Sequence, residues 1–418
     1  MKPRTIASFL LALFCLTLTA PLLSAAPTET VLHRFSLRDG ASPGSLISDS
    51  SGNLYGSAYS GVNGGVVFKL SLGKNGRWKD TTLYAFCPLQ TACPDGQLPM
   101  GRLLLDAAGN LYGTTQAGGA HNIGTVFKLT PTPTGQWNET VLHSFGVSIA
   151  DGKYPEAGLI SDAKGNLYGT TVETGSDSQG LVFELTPHAN GKWTEKILHT
   201  FRYTGDGFDP QGELLFDRSG NLYGTTLHGG SHAGSCGVGC GTIYELSPQP
   251  NGSWKETLLH AFQLDGVDGD APYAGLTWSG NTLYGTTANG GKPCTDETYY
   301  GCGTVYSLTP QADGTWKEAV IYNFSGPDGE LPLGSVVGDQ AGNLFGTTSN
   351  GAISHNGTVF KLSPESGGQW TFATLQEFQG RDGSGPVGSL VLDLSDNLFG
   401  TTQGGGGNGW GCVFEITP

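Results

Sequence analysis

The chain repeats itself seven times, and that repetition limits its fold more than any other property. The phrase Asn-Leu-Tyr-Gly-Thr-Thr begins at Asn110, Asn166 and Asn221, and close variants begin at Asn53, Asn343 and Asn397. Another copy reads Asn281-Thr282-Leu283-Tyr284-Gly285. The aromatic position recurs at Tyr55, Tyr112, Tyr168, Tyr223, Tyr284, Phe345 and Phe399, with spacings of 57, 56, 55, 61, 61 and 54 residues. A repeat this long marks an array of supersecondary units, each too small to bury its own apolar surface. Glycine fills 68 of 418 positions, which suits many tight turns. Aromatic residues make up 10% of the chain, enough for a core, so disorder and collagen are excluded.

Each unit reads as four strands. Gly158 to Asp162 typifies the first, and Asn166 to Thr171 the second. Gly124 to Leu129 typifies the third and Trp137 to Phe145 the fourth. In the fourth, Trp137, Glu139, Val141, His143 and Phe145 fall on one face. No window sustains helical periodicity. Four antiparallel strands repeated seven times predict an all-β, seven-bladed β-propeller. The ends of the chain predict how the ring closes. Residues 30–35 match a fourth strand with no first strand before them, and the last copy stops after its third strand. The N-terminal strand is therefore expected to complete the last blade and remove an open edge.

These runs, Gly-Asn-Leu-Tyr-Gly-Thr-Thr, then Gly-Thr-Val-Phe-Lys-Leu, then Leu-His-x-Phe, resemble the GloVer tandem repeat of secreted bacterial proteins across residues 30–418. The resemblance implies export and often a C-terminal surface anchor, and it brings no catalytic residues. The chain ends at Ile416-Thr417-Pro418 without such an anchor, so a released or non-covalently held protein is expected.

The N-terminus agrees with export. Lys2 and Arg4 precede an apolar run from Ile6 to Ala20, and Ser24-Ala25-Ala26 offers small residues for cleavage. Residues 1–26 read as a signal peptide and 27–418 as one propeller domain, secreted, periplasmic or held at the cell surface. The formal net charge is −15, and loss of Lys2 and Arg4 takes it to −17. That balance argues against nucleic acid and anionic membranes as partners. No membrane insertion and no cofactor are expected, and a monomer is. In an oxidising compartment, Cys87 with Cys93, Cys236 with Cys240 and Cys294 with Cys302 read as three disulfides within loops. Cys412 is left as a small buried residue.

Seven carboxylates recur in Asp-Gly-x-x-Pro or a close variant, at Asp39, Asp95, Asp151, Asp206, Asp268, Asp328 and Asp382. They fit either a cation or acid/base site at the channel mouth, or a turn that enters the inner strand. His33, His143, His199 and His260 share one outer-strand position with Tyr84, Tyr322 and Gln376, which suggests packing rather than metal binding. His228 and His232 could share a metal, but no third ligand has recognisable spacing, so no metal site is assigned. Repeated residues build blades, so function should lie where copies differ. The loops joining strands two to three, and four to the next first strand, should share one face, here termed upper. Phe208, Tyr273, Lys292, Asp296, Glu297, Tyr299, Tyr300 and Trp410 differ among copies there. Aromatics with scattered carboxylates suit glycan binding, and they equally suit loop cores. The expectation is a non-catalytic propeller that binds glycans or a cell-surface partner. Alternatives are an extracellular lyase, glycosidase or lactonase, and a structural envelope component.

Overall fold

The computed structural model describes residues 26–417 except 62, 89–91, 175–178, 203–204, 231–235 and 295–300. The leader expected at residues 1–26 thus falls outside them, its last residue apart. No helix occurs among the described residues, so none is long and apolar enough to cross a membrane. Seven antiparallel four-stranded sheets form a seven-bladed propeller. Blade 2 is typical, with strands Leu104–Leu105, Leu111–Thr115, Thr125–Pro131 and Trp137–Ser144. In blade 7 the outer strand is the start of the chain. Thr28–Arg34 pairs antiparallel with Cys412–Thr417, Thr28 facing Thr417 and Arg34 facing Cys412.

The inner strand is shorter than the sequence suggests. Blade 3 has Ile160–Ser161 in regular pairing, where five residues were expected. Every copy carries a proline just above this stretch, and proline has no N–H to give the ladder. Beyond the proline the chain rejoins its neighbour, as where Gly152–Lys153 pairs with Glu173–Thr174. This second pairing also places the two kinds of upper-face loop together.

The core lies between blades, not within them. The cluster joining blades 1 and 2 combines Tyr55, Val67 and Phe86 with Leu103, Leu111 and Phe127. The repeated motifs read directly as these contacts. Phenylalanine of Leu-His-x-Phe meets the third-strand aromatic of the next blade edge-on. The seven pairs, from Phe35–Phe68 to Phe378–Phe414, have ring centroids 4.9–5.2 Å apart. Each such pair contributes about 0.5–1.5 kcal/mol beyond the burial itself. Glycine of Gly-Thr-Thr makes room for that aromatic: a Cβ on Gly113 would sit 2.6 Å from the Phe127 ring. The first threonine crosses the junction. Thr114 donates to the Ala157 carbonyl (2.9 Å) and Thr401 to that of Gly44 (2.8 Å). Glycine at the head of the third strand has positive φ, +112° at Gly124, and a Cβ there would lie 2.5 Å from Pro155 of the next blade. The six tryptophans that open fourth strands reach back to the preceding blade, as Trp254 does to Tyr168 (6.5 Å).

Two predictions follow from this packing. Deleting residues 27–36 should lower the melting temperature, because the paired edge of Cys412–Thr417 becomes bare; an unchanged melt would exclude closure by this strand. In blades 4 and 5 the third-strand ring is Tyr244 and Tyr306 instead of phenylalanine. Both are wholly buried, and neither hydroxyl has a hydrogen-bond partner among the described residues. Tyr244→Phe and Tyr306→Phe should each raise stability by about 1 kcal/mol in denaturant titrations, since an unsatisfied buried hydroxyl is removed.

Candidate functional site

The Asp-Gly-x-x-Pro carboxylates serve the turn, not the channel. Each side chain faces back to the outer strand the chain has just left. Asp268 lies 3.0 Å from His260 Nε2, Asp206 3.2 Å from His199, Asp39 3.3 Å from His33 and Asp151 3.6 Å from His143. Where the histidine is absent, Tyr84 donates to Asp95 (2.9 Å), Gln376 to Asp382 (3.0 Å) and Tyr322 to Asp328. The outer-strand position expected to be mere packing therefore has a polar role. It accepts His, Tyr or Gln because each can donate a hydrogen bond. Backbone groups complete the clasp: Asp151 accepts from the N–H of Gly146, Val147 and Gly152. The lower turns are as self-contained. Burial alone would raise the carboxyls of Asp49 and Asp106. Hydrogen bonds from Asn53 and Tyr55, and from Asn110 and Tyr112, hold both below the usual range.

With the repeated residues committed to architecture, the channel is left to those that vary. The two columns following each proline face it. One presents Met100, Glu156, Gln211, Tyr273, Leu333 and Val387; the next presents Ser45, Arg102, Glu213, Ser335 and Ser389, with glycine at 158 and 275. Together they bound an upper cavity of about 480 Å³. Its wall is polar along blades 2 to 5 and small or apolar along blades 6, 7 and 1.

The polar wall is organised. Tyr59 donates to Gln116 Oε1 (3.2 Å), and Gln116 donates to Glu156 (2.6 Å), linking three blades around the rim. Arg102 of blade 2 meets Glu213 of blade 4 at 3.7 Å, passing over blade 3. Gly158 lets the inner strands of blades 2 and 3 approach closely, since a Cβ there would lie 2.8 Å from the Arg102 carbonyl oxygen. Burial, then the charges of Asp209 and Glu173, raise the Glu156 carboxyl despite its bond from Gln116. Burial raises Asp209 too, against the pull of His228 3.8 Å away. Tyr273 is pushed up to about 12 by burial and by Glu156 and Asp209. These groups feel one another's charge, so this part of the mouth is electronegative. Arg102, Glu156, Gln211 and Glu213 do not stand out by residue type alone. Their signal is positional: the two columns after the proline change chemistry from copy to copy.

The sequence profile of the Gloeobacter/Verrucomicrobia repeat matches residues 21–238, 157–369 and 292–418. The chain belongs to this repeat family. No curated protein sequence matches it. Among solved structures, virginiamycin B lyase from Staphylococcus aureus is similar to this member of the repeat family at 12% identity, with a TM-score of 0.51. The match covers 94% of this chain and 99% of the lyase. A protein from Lactobacillus plantarum matches at 15% identity and a TM-score of 0.52, covering 84% of this chain and 88% of its own. At these identities the likeness concerns the fold.

On the Gloeobacter/Verrucomicrobia-repeat ring, the expected site residues are spread out. Tyr273 lines the cavity. Phe208 is half-buried, pairs through its backbone with His228 (2.9 and 3.2 Å) and packs on the core between blades 3 and 4. Trp410 is 40% exposed on the blade 7 loop, its carbonyl accepting from Ser42 N–H (3.1 Å). Lys292 is exposed, its N–H bonded to Asn323. Asp296, Glu297, Tyr299, Tyr300 and His232 lie outside the described residues. Exposed apolar side chains do gather on the upper face: Leu37, Val147, Ile149, Val238, Val267, Ile353 and Trp410 all sit in its loops.

Disulfides join Cys87 to Cys93, Cys236 to Cys240 and Cys294 to Cys302, each within one loop, while Cys412 is free and buried. Cys412 occupies a third-strand position that is threonine in most copies, and it pairs with Thr402 as Thr242 pairs with Thr226. Non-reducing peptide mapping should recover the three bridges separately, with Cys412 alkylated only after unfolding. A bridge between two loops would overturn this assignment.

Proposed function

We propose that the protein is an exported, single-domain propeller, residues 27–418, that binds a glycan or a surface partner through its upper face. The observation that carries this reading is the convergence of non-repeated polar side chains at one mouth of the channel. Glu156, Gln211 and Tyr273 offer hydrogen-bond acceptors beside one ring. This combination suits a ligand rich in hydroxyl donors with an apolar face. Lys292, Phe208 and Trp410, with Asp296, Glu297, Tyr299 and Tyr300, would extend the contact over the surrounding loops. The three loop disulfides fit an oxidising compartment and would stiffen those loops, so less entropy is lost on binding.

A second reading is catalysis on the same ligand. It is favoured by Glu156 and Asp209, two interacting carboxyls both raised by burial, as general acids require. The fold shared with a lyase is compatible with it and adds nothing about chemistry.

A glycan array should identify a bound saccharide. Tyr273→Ala should then weaken binding about fivefold, the equivalent of one lost stacking contact of about 1 kcal/mol. Glu156→Gln should weaken it further. The triple variant Tyr299→Ala, Tyr300→Ala, Trp410→Ala reports on the loops. Full affinity in both sets would place the ligand elsewhere, and turnover of the bound saccharide would favour the enzyme.

A further inference from the structure

We propose that at most blade junctions the outer-strand acid keeps its proton beside the clasp aspartate, so that the ring is tightest in mildly acidic medium and loosens as the pH rises to neutral. The geometry is repeated. At six of the seven junctions, an acidic side chain from the outer strand of the next blade stands against the clasp: Glu29, Asp80, Glu139, Glu195, Glu256 or Glu318. Each has one carboxyl oxygen that is shut off from solvent and lacks a hydrogen-bond partner among the described residues. At three junctions the histidine nitrogen and both carboxylates lie within 4.8 Å of one another. At the seventh, Phe372 takes the acid's place and stacks on Tyr322, with centroids 4.3 Å apart and planes 7° from parallel.

Two carboxylates in a dry seam repel, and neither is neutralised by a lysine or arginine at most junctions. Burial alone would raise the Asp151 carboxyl, but His143 and the backbone N–H groups of Val147, Gly146 and Gly152 hold it below the usual range. Among the described residues, no backbone N–H bonds to Glu139, Glu195 or Glu318. The proton therefore resides on the outer-strand acid. Burial first, and the facing aspartate next, push Glu29 and Glu139 up to about 7. Glu195 and Glu318 also reach about 7, through burial and the facing aspartate, against the pull of a histidine.

The groups facing these four acids are few. Glu139 faces Asp95 and Tyr84. Glu195 faces Asp151 and His143, and Glu318 faces Asp268, Asp265 and His260. Glu29 faces Asp382, Arg34 and the buried Cys412 thiol. The junctions of Glu139 and Glu29 contain no histidine, so any effect there belongs to the carboxyl pair.

The sign follows from linkage. In the folded state these acids keep their protons up to about pH 7; unfolded, they lose them near the ordinary glutamate value. Their contribution is complete below the unfolded value and is lost as pH rises through about 7. The lowered aspartates, Asp49, Asp106 and Asp151, act oppositely and fail only in stronger acid. Stability should thus peak in the mildly acidic range.

The test is melting temperature from pH 5 to 9, with potentiometric proton counting at pH 6. The wild-type Tm should fall across this range, and unfolding at pH 6 should release about one proton per raised acid. Glu139→Gln, Glu195→Gln and Glu318→Gln combined should flatten the fall and reduce the release by about three protons. A wild-type Tm that is flat or rises with pH overturns the proposal, as does an unchanged slope in the triple variant. Should the triple variant not fold, Glu139→Gln alone and the wild-type proton count decide the matter in the same way.

Discussion

The junction between blades is the unit on which everything else depends. No blade keeps a core to itself. The phenylalanine ending each outer strand packs on the third strand of the next blade, the threonine of Gly-Thr-Thr hydrogen-bonds across the same seam, and the third-strand glycine admits the next proline. Hydrophobic burial supplies most of the free energy, and here it becomes available only when neighbours meet. The repeat is therefore best described as seven half-interfaces. Each copy carries both halves, and a ring is the arrangement that leaves none unpaired.

This economy explains where variation is tolerated. Residues that touch the seam are held to one chemistry: Phe at the ring contact, Gly beneath it, a hydrogen-bond donor opposite the clasp aspartate. In six of the seven copies the first and third positions after the proline line the channel, and these are the positions that diverge, while the residue between them accepts the hydrogen bond across the seam in most copies. Glycine at 158 and 275 is part of the same logic, because a Cβ at either would press on the backbone of the preceding blade, at Arg102 or Glu213. The candidate site is thus a by-product of where the architecture leaves side chains free.

Much of the fold was legible in the sequence because seven copies average out local ambiguity. The outer strands and the closing strand, expected at 30–35 and found at Thr28–Arg34, could be read from the repeat, and the loop disulfides from close spacing in a chain read as exported. The inner strand was overestimated because Gly158 and Leu159 continue the strand pattern of the sequence, whereas the ladder with the second strand covers only Ile160–Ser161. The outer-strand histidines were the harder case. His33, Tyr84 and Gln376 look unrelated until their shared partner, an aspartate about ten residues or fewer ahead in the next turn, is seen beside them. The channel residues were hidden for the opposite reason. Glu156 and Arg102 sit next to a conspicuous motif, and nothing in the sequence says that the motif turns away from the channel while its neighbours face it.

The closing strand has a consequence for the timing of assembly. Thr28–Arg34 is synthesised long before Cys412–Thr417, its one sheet neighbour among the described residues. At roughly 5–20 residues per second the first strand waits on the order of half a minute for its partner. Until then the chain is an arc with two sticky ends, one at blade 1 and one at the growing tip. Such an arc can add blades in order, but it cannot be finished early. The pairing of Cys412–Thr417 with Thr28–Arg34 thus locks the whole ring.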